Sequence, residues 1–168
     1  MCNISFIVFS IYNMCIGGGV MSKLKIPFVS KKCVNHSNKG QFGYTNRQPT
    51  IMLGGGHGQD NINYLNSKNI AHDILVEYNN GVRQGNISIH FKRHKRHRGK
   101  QMWFPKGWTE KDIKAAGEHV MSLKKNQKRE NFKPHTGTYK GVRVGTYTSN
   151  GRVTTIFPCY EQKGGIKK

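Results

Sequence analysis

Histidine and lysine are the residue types in this sequence best suited to chemistry. The chain has eight histidines, and its 28 Lys plus Arg against 8 Asp plus Glu give a formal net charge of +20. An imidazole exchanges protons near neutral pH, and an ammonium group stabilises developing negative charge. Together they supply the base, acid and cation that cleavage of a ribose phosphodiester requires. The few carboxylates argue against a two-metal nuclease site.

Two histidines stand out by their surroundings. His57 follows three consecutive glycines, 54–56, and precedes the polar segment 58–60, so its ring is expected to be accessible. Glycine also lets other groups approach closely. His36 lies in a second polar segment that ends at Gly40. Four others are predicted to be ordinary surface residues: His72, His94, His97 and His119.

The charge indicates a polyanionic partner. Nucleic acid is the expected one for so basic a chain. Binding to a lipid surface would favour a basic amphipathic helix with a broad apolar face, and the sequence has none, so no stable membrane association is expected. The run 92–100, KRHKRHRGK, is interpreted as a solvated loop or a polyanion-binding site.

Cysteine spacing and the N-terminal segment set further limits. No cysteine forms a C-x-x-C pair, which argues against a zinc site. The cysteines are predicted to be free thiols, and neither a metal nor a cofactor is expected. Residues 1–29 are treated as a leader or tail, because 1–20 are too polar for a confident membrane span and lack the basic start of a secretory signal. The nuclease-like domain is assigned to 30–168. The cysteines are Cys2, Cys15, Cys33 and Cys159.

The middle of the chain predicts alternating helix and strand. Residues 21–56 are expected to be loop-like and 60–69 helical. A strand over 71–77, a turn at 79–81 and a second strand over 82–91 follow. In that second strand, Ile87, Ile89 and Phe91 are expected on one face, with Ser88 and His90 on the other.

A helix and a hairpin are predicted in the last third. Thr109 and Asp112 have the spacing of a capping box, and apolar residues then recur at helical intervals. Two strands, 138–144 and 152–157, are expected to flank a turn at 149–151. Helices and strands segregated in this way favour an α+β fold. Three aromatic residues are predicted to lie in the core: Trp103, Phe104 and Trp108.

Four short motifs occur in an order that resembles one known family. Gly54-Gly55-Gly56-His57 comes first, then Asn79-Asn80-Gly81-Val82, then W-F-P-x-x-W-T from 103 to 109, then Thr155-Ile156-Phe157-Pro158. Over about residues 30–160 the chain resembles the bacterial EndoU nuclease domain. The resemblance implies two small antiparallel sheets with packed helices and a cleft between, the ribonuclease-A-like arrangement of many toxin nucleases.

The resemblance also implies site residues. His36, with Gly40, matches the first family histidine, and His57 matches the second. The catalytic lysine is assigned to Lys100, with Lys95 as the alternative, and Thr155 matches the threonine of a T-x-Y-P motif. The aromatic position of that motif is phenylalanine here, so a phenolic hydroxyl is missing while ring stacking remains possible. Four residues are expected to bind substrate: Phe157, Lys95, Arg98 and Gly56.

By the same resemblance, the expected activity is metal-independent RNA cleavage at uridines, in tRNA or other structured RNA, that leaves 2′,3′-cyclic phosphate and 5′-hydroxyl ends. One of His36 and His57 is the base and the other the acid. The family implies a secreted or delivered bacterial competition toxin that acts in the cytoplasm of a target cell. An acidic immunity protein is the expected partner. The alternatives are a non-catalytic basic RNA-binding module and a membrane-active toxin.

Overall fold

The computed structural model describes residues 28–127 and 133–167. Four α-helices are present in this part of the chain: α1 (Lys31–Asn38), α2 (Gln59–Ser67), α3 (Arg93–His97) and α4 (Glu110–Ser122). The strands are β1 (Gln41–Thr45), β2 (Gln48–Gly54), β3 (His72–Glu77), β4 (Arg83–Ile87), β5 (Gln101–Trp103), β6 (His135–Tyr139), β7 (Val142–Ser149) and β8 (Arg152–Pro158).

The strands form small antiparallel sheets, which confirms the α+β prediction. One sheet has the order β3-β4-β5 and another the order β6-β7-β8. The hairpin β1-β2 forms a separate two-stranded sheet, so the described residues contain three sheets where two were expected. The additional sheet and α1 both lie in the segment 21–56 that was predicted to be loop-like.

Two hydrophobic cores hold the sheets. The larger lies between α4, α1 and the β6-β7-β8 sheet and includes Phe104, Ile113 and Ile156. The smaller packs α2 and β2 around Trp103. Trp103 and Phe104 are fully buried, as predicted. Trp108 is partly buried and stacks on Phe104 with ring centroids 4.9 Å apart.

The predicted helices begin close to where their sequence signals place them. α4 starts with the complete capping box of Thr109 and Asp112, and α2 matches the predicted helix 60–69 to within two residues. α1 is short and polar, but Ser30 caps it: its hydroxyl accepts a hydrogen bond from the Cys33 amide at 3.1 Å. An eight-residue helix with so few apolar positions gives little periodicity to detect.

Two strand predictions need correction. The segment 138–144 is divided by a turn, because Lys140 and Gly141 adopt left-handed backbone conformations (φ 46° and 77°), so β6 ends before β7 begins. The strand predicted over 82–91 ends at Ile87. Beyond it the alternation fails: Phe91 is 64% exposed, whereas His90 is fully buried.

Several other features bear on the sequence predictions. The basic run 92–100 contains the short helix α3. Cys33 and Cys159 are free thiols, while Cys2, Cys15 and residues 1–27 lie outside the described residues. Val29, the last residue of the predicted leader, packs in the larger core. Within the described residues, no helix combines the length and apolar character that crossing a membrane requires.

Candidate active site

Three hydrogen bonds join the end of α1 to the glycine loop that follows β2. The carbonyl groups of His36, Ser37 and Asn38 accept from the amides of Gly56, His57 and Gly58 at 3.0, 2.5 and 2.9 Å. The last carbonyls of a helix lack partners within the helix, and the loop supplies them. This pairing brings His36 and His57 together, although the β1-β2 hairpin separates them in the sequence.

Glycine is required at this junction. Gly55 and Gly56 both have positive φ, 70° and 68°. A Cβ on Gly55 would lie 2.0 Å from the carbonyl oxygen of His36 and 3.0 Å from its Nε2. A Cβ on Gly56 would lie 2.2 Å from the Cε of Met52. Side chains would therefore force the loop away from α1 and separate the two histidines.

The His57 ring is held in one tautomer. Its Nδ1 donates a hydrogen bond to the carbonyl oxygen of Met102 at 2.7 Å, so in the neutral ring Nε2 carries the lone pair. Burial lowers the pKa of His57 well below its ordinary value, and the charge of Lys95 lowers it further. The bond to Met102 opposes this shift without cancelling it. His57 is therefore neutral at physiological pH.

Lys95 is the lysine that the structure brings to the histidines. Burial, then the charge of Lys92, lowers the pKa of Lys95 to about 7. Its charge in turn lowers the pKa values of His57 and His36, for which burial is the larger cause. Lys100, the lysine preferred from the sequence, is exposed and holds its Nζ 5.0 Å from the ring centroid of Tyr160. Of the two lysines that the sequence left as alternatives, Lys95 is therefore the one whose charge acts on both histidines.

His90 is a third imidazole of this cluster, which the sequence analysis placed on a strand surface. It is fully buried, and its Nδ1 accepts a hydrogen bond at 3.0 Å from the amide of Lys92, the N-cap residue of α3. Its Nε2 is buried and finds no hydrogen-bond partner within the described part of the chain. Burial and the charge of Lys95 lower the pKa of His90 to about 3, so it stays neutral.

The outer face of β8 carries the remaining candidates. Thr155 and Phe157 are half-buried, and the ring centroid of Phe157 lies 6.0 Å from that of His57. Tyr147 lies opposite Thr155 in the neighbouring strand and stacks on Phe157 with centroids 5.2 Å apart. Tyr147 was not singled out in the sequence, although strand alternation across the hairpin places it on this face.

A groove of about 970 Å³ leads away from His36. Thr155 and Gln41 line it beside the imidazole, and two cations, Lys32 and Arg152, lie along its walls. The groove therefore places His36 in the wall of a polar, positively charged channel between α1 and the β7-β8 hairpin. A single nucleic-acid strand bound here would bring its backbone past His36.

Two expected substrate-binding residues lie elsewhere. Gly56 is buried, and both its backbone groups are used: its amide bonds His36, and its carbonyl oxygen accepts from Nε2 of Gln101 at 2.7 Å. Gly56 thus positions the histidines and is not exposed to a ligand. Arg98 is exposed at the end of α3, and its charge acts on His94, outside the pair of His36 and His57.

The arrangement combines two imidazoles and an ammonium group, and one of the imidazoles, that of His36, lines a basic groove. A neutral imidazole can accept a proton, a second can deliver one, and an ammonium can stabilise a pentavalent phosphorus. Among residues 28–127 and 133–167, no three side chains of the metal-binding types His, Cys, Asp and Glu gather to hold an ion. The residues present are those of acid–base chemistry.

Comparison with known proteins supports the same class. A profile of the bacterial EndoU nuclease matches residues 30–160. Comparisons with curated proteins and with solved structures gave no match. The matched range includes α1, the glycine loop, α3 and β8, and hence every residue of the cluster described above. By this match across most of its length, the chain belongs to the bacterial EndoU nuclease family.

Proposed function

We propose that the protein is a metal-independent endoribonuclease in which His36, His57 and Lys95 carry out the reaction. Membership of an EndoU nuclease family makes RNA the substrate. The observation that carries the proposal is the meeting of two imidazoles and the Lys95 ammonium group beside a basic groove. The three groups come from three separate elements: α1, the glycine loop and α3.

His57 is the general base in this proposal. Its Nδ1–H is used by Met102, so its Nε2 can take the proton of the ribose 2′-hydroxyl. The lowered pKa keeps this nitrogen unprotonated at neutral pH. The ring is 5% exposed in the free protein. Substrate approaches it from the side of Phe157, the aromatic ring 6.0 Å away.

His36 is the general acid. It is half-buried and lines the groove, so it can reach the 5′-oxygen that leaves. Its pKa is lowered in the free protein by burial and by Lys95. A bound phosphodiester brings negative charge to the imidazole, and an opposite charge at close range raises the pKa of a cationic group. Substrate binding therefore favours uptake of a proton from solvent by His36, which then delivers this proton to the leaving 5′-oxygen.

Lys95 neutralises the phosphorane. Partly buried ammonium groups interact more strongly with developing charge, because less water screens them. Its pKa of about 7 leaves a fraction of the molecules uncharged at neutral pH. The incoming phosphate favours the charged form and so recruits the cation as substrate binds.

Thr155 and Phe157 position the base on the 5′ side of the cut. Thr155 offers a hydroxyl at the groove wall, and Phe157 offers a ring for base stacking. Preference for uridine, products with 2′,3′-cyclic phosphate and 5′-hydroxyl ends, and a tRNA or other structured target complete the proposal. These features rest on the family resemblance.

The biological role that we propose is that of a bacterial competition toxin delivered into the cytoplasm of a target cell. The producer of such a nuclease needs an inhibitor. A net charge of +20 favours an acidic immunity protein, since complementary charge accelerates association and selects the partner. Co-expression with a candidate acidic protein, followed by co-purification and an RNA-cleavage assay, tests this part of the proposal.

The central experiment compares wild type with His57→Ala on a labelled uridine-containing RNA in excess EDTA. Wild type is expected to cut and to leave cyclic phosphate ends, and His57→Ala to lose about 10²–10⁴-fold in rate. His119→Ala, which removes a half-buried histidine of α4, is the matched control and should cut like wild type. Binding without cutting by wild type would favour the RNA-binding module, and loss of activity in EDTA would contradict the metal-free route.

A further inference from the structure

An aromatic surface continues from Phe157 away from the groove. Tyr147 stacks on Phe157, and Tyr160 follows Phe157 by three residues along the chain. The two tyrosines are 41% and 43% exposed, so both rings face solvent although neither is needed to fill a core. Burial raises the pKa of Tyr160, and the electrostatic effect of Tyr147 raises it further.

Tyr160 is fixed by contacts at both ends. Its hydroxyl donates to the carbonyl oxygen of Lys100 at 2.9 Å, and its own carbonyl oxygen accepts from the hydroxyl of Tyr78 at 3.1 Å. A ring held in place loses little entropy when a ligand stacks on it. Nucleic-acid bases stack on such exposed aromatic faces with little regard to sequence.

Lys100 adds a cation at this surface. Its Nζ lies 5.0 Å from the ring centroid of Tyr160. The next residue, Gln101, bonds the carbonyl oxygen of Gly56, so this cation is tied to the loop that carries His57. Stacking rings with a cation alongside are the usual components of a single-strand binding surface.

The order of residues along β8 relates this aromatic surface to the groove. Arg152 and Thr155 lie along the groove, Phe157 stands beside His57, and Tyr160 follows beyond the end of the strand. Successive residues of a strand advance by about 3.3 Å, so Thr155 and the end of the strand at Pro158 are about 10 Å apart, and Tyr160 follows two residues later. Along the chain, the groove residues of β8 therefore precede Phe157, and Tyr160 follows it.

We infer that Tyr147, Tyr160 and Lys100 form a second nucleotide subsite, which stacks a base adjacent to the one held by Phe157 and binds its phosphate. This inference rests on the proposed endoribonuclease function and extends it. It gives Lys100, the lysine favoured by the sequence for catalysis, a role in substrate binding. It also predicts that the enzyme prefers oligonucleotides to dinucleotides.

The test is an abasic scan of the substrate. Hexanucleotides with one ribouridine among deoxynucleotides offer a single cleavage site, and each flanking base is removed in turn. In wild type, loss of one base within two positions of the cut is expected to lower kcat/KM about tenfold. In Tyr160→Ala, kcat/KM on the intact hexamer should already be low, and the same base removal should have no further effect. Sensitivity equal to that of wild type would overturn the inference.

Two variants guard against a merely structural explanation. Tyr160→Phe keeps the ring but loses the hydroxyl that bonds Lys100. If the ring stacks a base, this variant should retain most of the wild-type sensitivity to the abasic position. If only the bond to Lys100 matters, it should behave like Tyr160→Ala. Tyr44→Ala removes another exposed tyrosine, whose hydroxyl bonds that of Tyr64 at 3.0 Å, and should respond to the scan as wild type does. Thermal unfolding of each variant verifies the fold.

The failure of this inference is distinguishable from failure of the proposed function. Failure of wild type to cut the labelled RNA of the central experiment would contradict the proposed function. If wild type cuts none of the hexamers, the scan is read by fluorescence anisotropy on all-deoxy hexamers, which the 2′-hydroxyl mechanism cannot cleave. A base-dependent loss of affinity that disappears in Tyr160→Ala would still support the subsite. Affinity insensitive to every flanking base would overturn it.

Discussion

The polar cluster at the start of α4 and the cluster around His57 contain similar groups in opposite arrangements. At α4, Asp112 accepts hydrogen bonds from the hydroxyl of Thr109 at 2.8 Å and from Nζ of Lys140 at 2.7 Å. The bond from Lys140, followed by those from Thr109, lowers the pKa of the carboxyl group. The Asp112 carboxylate and the Lys140 ammonium group thus partner each other.

Around His57 the charges have like-signed neighbours. The interactions that lower the pKa values of Lys95, His36 and His57 are burial and other bases, and no carboxylate contributes to them. None of the ion pairs among residues 28–127 and 133–167 includes Lys95. The charge of Asp112 is paired within the protein, whereas the bases around His57 have no carboxylate beside them among the described residues. Under the proposed function, a phosphodiester supplies the missing anion.

The largest expected effect comes from His57→Gln. Glutamine can still donate to the Met102 carbonyl but has no basic nitrogen, so kcat should fall about 10³-fold. Single-turnover cleavage of a labelled RNA measures the loss. A variant that retains more than a tenth of the wild-type rate would show that the His57 imidazole is not the base.

Lys95→Met should be more stable than wild type and less active in cleavage. The folded protein disfavours the charged form of this lysine, so an apolar side chain is expected to raise the free energy of unfolding by about 2 kcal/mol below pH 7. The unfolded chain keeps the proton to about pH 10, so the gain should shrink as pH rises from 7 towards 10. Urea unfolding at several pH values measures it.

Activity provides the second half of that test. Lys95→Met should be severely impaired in cleavage, while Lys68→Met, at an exposed lysine at the end of α2, serves as the matched control. A destabilised Lys95→Met variant would mean that the ammonium group has a favourable partner in the folded protein. That result would remove the contrast between the two clusters.

His90 tests whether the orientation of α3 matters. His90→Leu removes the acceptor for the Lys92 amide and should lower kcat about tenfold, because small displacements of Lys95 are costly. His90→Asn offers an oxygen close to the Nδ1 position and should recover most of the rate. Cleavage kinetics combined with a ¹³C NMR titration of the Lys95 Cε would separate misplacement from unfolding. Equal activity in both variants would dismiss the positioning role.

The smallest effect is expected at the polar cluster at the start of α4. Asp112→Asn weakens the capping box of α4 and should cost about 1 kcal/mol of stability at neutral pH. The carboxyl pKa is lowered on folding, so the stabilisation is present above about pH 4 and is lost as pH falls below it. Chemical unfolding at pH 7 and pH 3 measures the difference. A large loss of RNA cleavage in a folded variant would contradict the separation of the two clusters.

Local signals in the sequence predicted much of the fold. The capping box at Thr109, the turn at 79–81 and the apolar spacing of α4 act over a few residues, and the structure has the corresponding elements there. The class α+β followed from them. The hairpin β1-β2 and helix α1 were missed, because α1 is too polar and short to show a period and the strands of the hairpin lack clean alternation.

The site was predictable in type but not in detail. His57 and His36 were identified by their glycine context and the family motifs, whereas Lys95 and Lys100 could not be separated from sequence. That choice depends on which way α3 turns in a run where nearly every residue is basic. The burial of His90 was not predicted, because the strand ends at Ile87, before His90, and periodicity cannot indicate where a strand stops.

The three amide–carbonyl bonds between residues 36–38 and 56–58 have a consequence for how the domain can vary. They fasten the hairpin 41–54 at its base, so its length does not set the spacing of the two histidines. Closing a longer loop costs little additional entropy. Extra residues at the tip near Asn46 and Arg47 should therefore be tolerated, and this hairpin is a suitable place to attach an affinity tag or a fluorophore without disturbing the reacting groups.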